Sequence, residues 1–212
     1  MRITLSSVGL QARGRSTILK VNYRNTDEIF KFAYRFVHHY LKPKLTDEDQ
    51  APVIEPQAAG RHGLNPQIRY FDSFDLEIST LVRWLQRWHS ERGMSWSQMA
   101  ILYRDTEIGR CYFDALKKAK IPCDWVANKA AKKAFNPHNN TVKLMTMHSS
   151  KGLEFPLIII AGLGFMPSAD QDELNEAKLL YVAMTRATEK LVLATHQMTA
   201  FTQLFPKPQT ST

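Results

Sequence analysis

The chain has 212 residues, 44% of them hydrophobic and 23% charged, which suits one domain with a full core. Its formal net charge of +8 favours polyanionic partners, because each neutralised phosphate releases condensed counterions. No apolar run approaches the roughly 20 residues that cross a bilayer, the start MRITLSSVGL is too mixed for a signal peptide, and two cysteines (Cys111, Cys123) make neither a CxxC motif nor a disulfide framework. The expectation is a reduced, cytoplasmic setting and no membrane partner.

The first feature along the chain is GLQARGRS (9–16), which approximates a phosphate-binding loop: Gly9, Gly14 and Ser16 fit, and Arg15 stands where lysine belongs. A working loop of this kind opens a helix whose amides cradle the phosphates, yet STILKVN, which follows, is β-branched and reads as a strand. The planar fork of arginine does not replace lysine's compact point charge. No apolar strand ending in Asp-Glu is present to handle Mg²⁺. The stretch is expected to be a basic connector, which sets aside a stand-alone NTPase built on it.

Strands are expected at 17–22, 67–71, 99–104, 142–147, 157–162 and 190–195. LIIIAG (157–162) is a continuous apolar run, as in a strand covered on both faces of a parallel sheet. Helices are expected between them. Residues 25–41 repeat apolar positions at Ile29, Phe32 or Ala33, Phe36 or Val37, and Tyr40, with Asn25 and Glu28 as a capping pair. Residues 74–93 place Ile78, Leu81, Val82, Leu85 and Trp88 on one face and stop at Gly93. Residues 107–122 and 172–187 pass the same test. Segments 42–66 and 128–140 read as loops, the second with Lys129, Lys132 and Lys133 on a solvated face. The alternation predicts an open, mainly parallel α/β sheet flanked by helices.

Three stretches concentrate chemistry. In ILKVNYRNTDEI a strand ends at Asn22, and Tyr23 and Arg24 fall at the turn before a helix. There a ring can stack on a base and a guanidinium can reach a phosphate; the plainer reading is a core tyrosine beside a solvated arginine. In VKLMTMHSSKGLEFPLIIIAGLG a strand delivers Thr146, His148, Ser149, Ser150, Lys151 and Gly152 into a loop, and Glu154 precedes the next strand. Carboxyl ends of parallel strands line the ligand crevice of open α/β folds, and these groups suit phosphate and sugar contacts. Local capping by the hydroxyls is the plainer reading. In NEAKLLYVAMTRATEKLVLA, Arg186 lies between a helix and a strand, placed to stabilise charge on a transferring phosphoryl group or simply to face the helix dipole.

NYRNTDEI, TMHSSKGLEFPLIII and EAKLLYVAMTRATEKLVL resemble motifs IV, V and VI of the UvrD/Rep/PcrA family of superfamily 1 DNA helicases, in the family's order. With MAILYRD they cover most of residues 19–194. The resemblance implies the second of two RecA-like domains, with ATP in the cleft between them and the P-loop and Mg²⁺ ligands on the first. It implies that Tyr23 stacks on adenine, that Arg24 approaches the γ-phosphate, and that Glu154 and Gly152 line the nucleotide site. Arg186 would be the arginine finger. Thr146, His148, Ser149 and Lys151 would lie on the path of single-stranded or partly duplex DNA, and no metal ligand falls in this half.

The sequence departs from the family in lacking the first RecA-like domain and the large insertion usual between ILYR and motif V. The expected organisation is a residual connector at 1–18, a second RecA-like domain at 19–200 and a tail at 201–212. The chain is then either a shortened branch of the family or a C-terminal fragment, inactive alone as an ATPase and dependent on a first domain in cis or in trans. The competing expectation is a non-catalytic DNA- or protein-binding module derived from a degenerate or split helicase.

Overall fold

The computed structural model describes residues 21–22, 24–41, 57–58 and 60–206; the GLQARGRS stretch, Tyr23 and most of the 42–66 loop lie outside them. Two short parallel strands, β1 (Val21–Asn22) and β2 (Gln57–Ala58), pair apart from the main sheet. The main sheet has six strands: β3 (Gln67–Tyr70), β4 (Met99–Tyr103), β5 (Cys123–Val126), β6 (Val142–Thr146), β7 (Phe155–Ile160) and β8 (Ala187–Thr195). Their order is β3-β8-β7-β4-β6-β5 and every pairing is parallel. This is the open RecA-like α/β architecture that the resemblance implies.

Of the four central strands, β4 (MAILY) and β7 (FPLIII) are apolar throughout because both faces are covered, while β6 carries the buried Lys143 and β8 is apolar only in its second half, Leu191–Ala194. Ala100, Leu102, Ile158, Ile160, Leu191 and Leu193 face one layer, made by helices α1 (Asp27–Tyr40) and α5 (Glu173–Met184). The alternate residues Met99, Ile101, Leu157, Ile159, Val192 and Ala194 face the other layer, made by α2 (Phe74–Arg92) and α3 (Thr106–Lys118). Helix α2 begins at Ser73, whose hydroxyl accepts from the Leu76 amide, and ends at Gly93 in the left-handed conformation. Among the described residues no helix is long and apolar enough to cross a membrane.

Four details differ from the sequence reading. The cap of α1 is Thr26, not Asn25, and Glu28 turns to accept from the Gly63 amide at 2.8 Å. Segment 123–134, read partly as loop, forms β5 and a short helix α4 (Lys129–Ala134). β5 is an edge strand whose sequence CDWV carries no apolar run, and it is held by the fully buried Lys143 of β6. That ammonium donates to Asp124 Oδ2 at 2.9 Å, to the Asn136 and Asn139 carbonyls and to Thr141 Oγ1. Finally, Phe205 stacks on Phe36 and Phe201 meets it edge-on in the α1/α5 layer, so the core extends past residue 200.

Candidate functional site

The crossover from β6 to β7 sets the geometry of the site. β6 ends at Thr146, level with Tyr103 at the carboxyl end of β4, and β7 starts at Phe155, level with the first residue of β8. Residues 147–154 therefore run back across the sheet from its carboxyl edge to its amino edge. They make this return without a helix, as a chain of turns with Gly152 at φ +88°, a conformation that suits glycine.

Arg24, Glu154 and Arg186 meet at the amino edge. Glu154 precedes β7, Arg186 precedes β8, and the two strand starts are joined by a bond from the Phe155 amide to the Arg186 carbonyl at 3.0 Å. Arg24 Nε donates to Glu154 Oε1 at 2.9 Å. The side chain of Asn25, buried at 1% exposure, donates to the carbonyls of Thr185 (2.9 Å) and Ala187 (2.5 Å), the residues on either side of Arg186. One amide thus fastens the start of α1 to the α5–β8 junction.

Arg186 is half-buried. Its Nε donates to the Val182 carbonyl at 3.1 Å, closing the last turn of α5, and its Nη2 lies 3.5 Å from Thr185 Oγ1. Burial, and then the Arg24 guanidinium, push its pKa below the ordinary arginine value, with Glu154 and Tyr181 acting in the opposite sense. This edge thus groups two guanidinium donors, Arg24, paired with Glu154, and Arg186, within electrostatic reach of both. It fits a polyphosphate, which would relieve both the desolvation and the repulsion.

The loop residues divide differently. Thr146 Oγ1 accepts from the Ser149 amide at 3.2 Å and donates to Ser149 Oγ at 3.0 Å, while Ser150 Oγ donates to the Met147 carbonyl at 2.7 Å. These hydroxyls hold the turn. His148, Lys151 and Gly152 are exposed on it. The expectation that the polar cluster lines a carboxyl-edge crevice is thus corrected in part. Thr146 and Ser149 sit at that edge, but Glu154, with Arg24 and Arg186, is on the opposite one, because the crossover separates them. Tyr23 lies outside the described residues.

Sequence comparison decides the family. The profile of the UvrD-like helicase C-terminal domain matches residues 17–130 and 126–198. The chain belongs to that family. Similar proteins include DNA helicase II of Haemophilus influenzae, 38% identical over 73 residues, 31% of this chain and 10% of that protein. ATP-dependent DNA helicase PcrA of Staphylococcus aureus is 40% identical over 81 residues, 34% of this chain and 11% of PcrA. ATP-dependent DNA helicase Rep of Escherichia coli is 48% identical over 56 residues, 24% and 8% respectively. The chain therefore spans about a tenth of the length of these relatives.

A solved structure described as the C-terminal domain of a possible DNA helicase from Lactobacillus plantarum WCFS1 superposes with a TM-score of 0.60 at 19% identity, covering 85% of this chain and 91% of that one. The likeness extends the UvrD-like assignment to the fold.

Two groups escaped the sequence reading. Asn25 reads as a helix cap until its acceptors, 160 and 162 residues away, are known. Glu176, inside the third motif, is 3% exposed and takes both oxygens to Arg104 Nε at 2.9 and 2.8 Å. That pair ties α5 to the residue after β4. A carboxylate on the buried face of an apolar helix was the available signal.

Proposed function

We propose that this UvrD-like domain is the second RecA-like half of an ATP-dependent superfamily 1 DNA helicase or translocase, and forms one wall of its ATP cleft. The observation that carries the reading is the convergence of Arg24 and Arg186 around Glu154 at the starts of two adjacent strands. In this reading the nucleotide would supply a γ-phosphoryl group that passes to water as its anhydride bond breaks and ADP leaves, with negative charge developing on the oxygens around the transferring phosphorus. Arg186 stabilises that charge as the arginine finger, Arg24 reaches the γ-phosphate, Glu154 accepts from the ribose, and Gly152 leaves the approach open. Tyr23 stacks on the adenine. Mg²⁺ and the P-loop belong to a first domain supplied in cis or in trans, so the chain alone is inactive as an ATPase. Among the described residues no cluster of His, Cys, Asp or Glu is arranged to hold a metal ion.

The single strand passes the 146–152 turn, where His148 and Lys151 are exposed and Thr146 and Ser149 fix the backbone that presents them. The excess of lysine and arginine over acidic residues supports a salt-sensitive polyanion contact.

The test joins this chain to a first RecA-like domain carrying a P-loop and measures ATP turnover with and without single-stranded DNA. The expected result is DNA-stimulated turnover that falls about 10³-fold or more in Arg186→Ala, as removal of an arginine finger does. Absence of turnover in the joined protein, with DNA binding retained, would instead establish the non-catalytic module.

A further inference from the structure

β8 begins at Ala187, but its outer neighbour β3 begins only opposite Val192. Among the described residues, the first five residues of β8 therefore have no strand paired with them on that side. Loop 60–66 covers the gap incompletely, and a pocket of about 370 Å³ remains between this loop, β8 and the end of α2. Its walls are of two kinds. Leu64, Trp88 and Met94 are apolar, with Leu64 57% exposed. Arg61, Arg92 and Lys190 are cationic.

The charges are poorly balanced. Glu189 is the carboxylate in the lining, and it is paired with Arg61 at 3.7 Å. His62, also in the lining, faces Glu28 at 3.2 Å. Among the described residues no carboxylate lies within ion-pair distance of Arg92 or Lys190. Lys190 Nζ instead rests 4.8 Å from the centre of the Trp88 ring. Burial, then Arg92 and Arg69, depress the Lys190 pKa, so the ammonium is held against like charge. An anion entering here would meet two uncompensated cations beside an apolar wall.

We propose that this pocket is a binding site for a phosphate-bearing nucleotide unit, with the phosphate on Arg92 and Lys190 and the sugar or base against Leu64 and Met94. The site is separate from the Arg24–Glu154–Arg186 cluster but linked to it. Arg61 in its wall lies 3.5 Å by Nη1 from the Arg24 carbonyl, and the Asp27 amide donates to the Arg61 carbonyl at 2.8 Å. The nucleotide unit belongs either to a single strand or to a free nucleotide, and the two are separable by experiment.

The test uses the whole chain carrying Arg186→Ala, which isolates the pocket from the proposed ATP wall. The probes are fluorescein-labelled oligothymidylate, read by anisotropy, and ADP, read by calorimetry, at low salt. Saturable binding is expected for at least one probe. The double variant Arg92→Glu/Lys190→Glu should raise its Kd about tenfold or more, whereas Arg83→Glu/Lys118→Glu, the same charge change on exposed helix positions, should raise it less than about threefold. Leu64→Asp, at an exposed position that does not challenge folding, should weaken the same probe. Binding of the oligonucleotide alone assigns the pocket to a strand, and binding of ADP alone assigns it to a free nucleotide. Equal losses in the two double variants, or no saturable binding of either probe, would overturn the proposal.

Discussion

The side-chain amide of Asn25 donates to the carbonyl of Thr185 across 160 residues of sequence, and with its second proton to the carbonyl of Ala187. Because Arg24 precedes Asn25 and Arg186 lies between the two acceptors, this one side chain sets the spacing of both guanidiniums. Asn25→Ala is expected to leave two backbone acceptors unsatisfied in a buried setting and to cost on the order of 2 kcal/mol. Asn25→Asp should cost more, since it turns a carboxylate toward two carbonyl oxygens. Urea denaturation followed by far-UV circular dichroism measures both; equal stability of Asn25→Ala and the parent would remove the clamp from the account of the site.

Gly109 provides a test of packing between α3 and the sheet. A Cβ at this position would fall on the ring of the buried Tyr103, nearer than carbon atoms can approach. The ring has no room to retreat, because its hydroxyl accepts from Trp125 Nε1 at 2.7 Å. Helix propensity alone makes Gly109→Ala stabilising by about 1 kcal/mol. The overlap reverses the sign, with an expected loss of about 1–3 kcal/mol. A rise in melting temperature would show that propensity wins.

These cases mark where the sequence was legible. The β7 run FPLIII and the β4 run MAILY announce themselves because central parallel strands are apolar on both faces. Gly93 marks its helix end for a different, local reason, the left-handed conformation that glycine adopts there. β5 is not visible in this way, since Cys123, Asp124 and Trp125 are half-buried on an edge and depend on Lys143, which lies on another strand. The three motif stretches singled out Arg24, Glu154 and Arg186 from the sequence, and the structure brings the three together. Their grouping at the amino edge depended on the path of residues 147–154 across the sheet, which no local pattern encodes.

Glu77 is a buried junction whose loss should be costly. It lies on α2 with no exposed surface and accepts from the Tyr112 hydroxyl at 2.5 Å and the Gly162 amide at 2.7 Å, while His196 Nδ1 lies 3.1 Å from its second oxygen. It joins α2, α3 and the ends of β7 and β8. Burial, followed by the charge and hydrogen bond of Glu77, pushes the Tyr112 phenol well above its ordinary range, so Tyr112 remains a donor. Glu77→Leu should strand these donors and cost on the order of 3 kcal/mol, and Tyr112→Phe about 1 kcal/mol. Chemical denaturation of the two variants should preserve that order, and the reverse order would mean that the carboxylate is not the junction.

The Asp124–Lys143 pair makes stability depend on acid. Burial alone would raise the Asp124 pKa, but hydrogen bonds from Thr141, Lys143 and Asn139 and the Lys143 charge outweigh it and hold the carboxyl below its ordinary value. A carboxyl depressed in the folded state contributes stability above its unfolded pKa of about 4. That contribution is lost as pH falls through the folded value. Asp124→Asn removes the charge that faces the fully buried Lys143, leaving it three neutral acceptors, and should cost about 3 kcal/mol at pH 7. The gap between parent and variant should close as the pH is lowered from about 4 toward 2, because protonation removes the same charge from the parent. Asp124→Asn/Lys143→Met should recover part of the loss at pH 7 and show a flatter profile below pH 4. Urea midpoints at pH 7, 4 and 3 decide the matter: a gap that stays constant with pH would exclude the ion pair as its source.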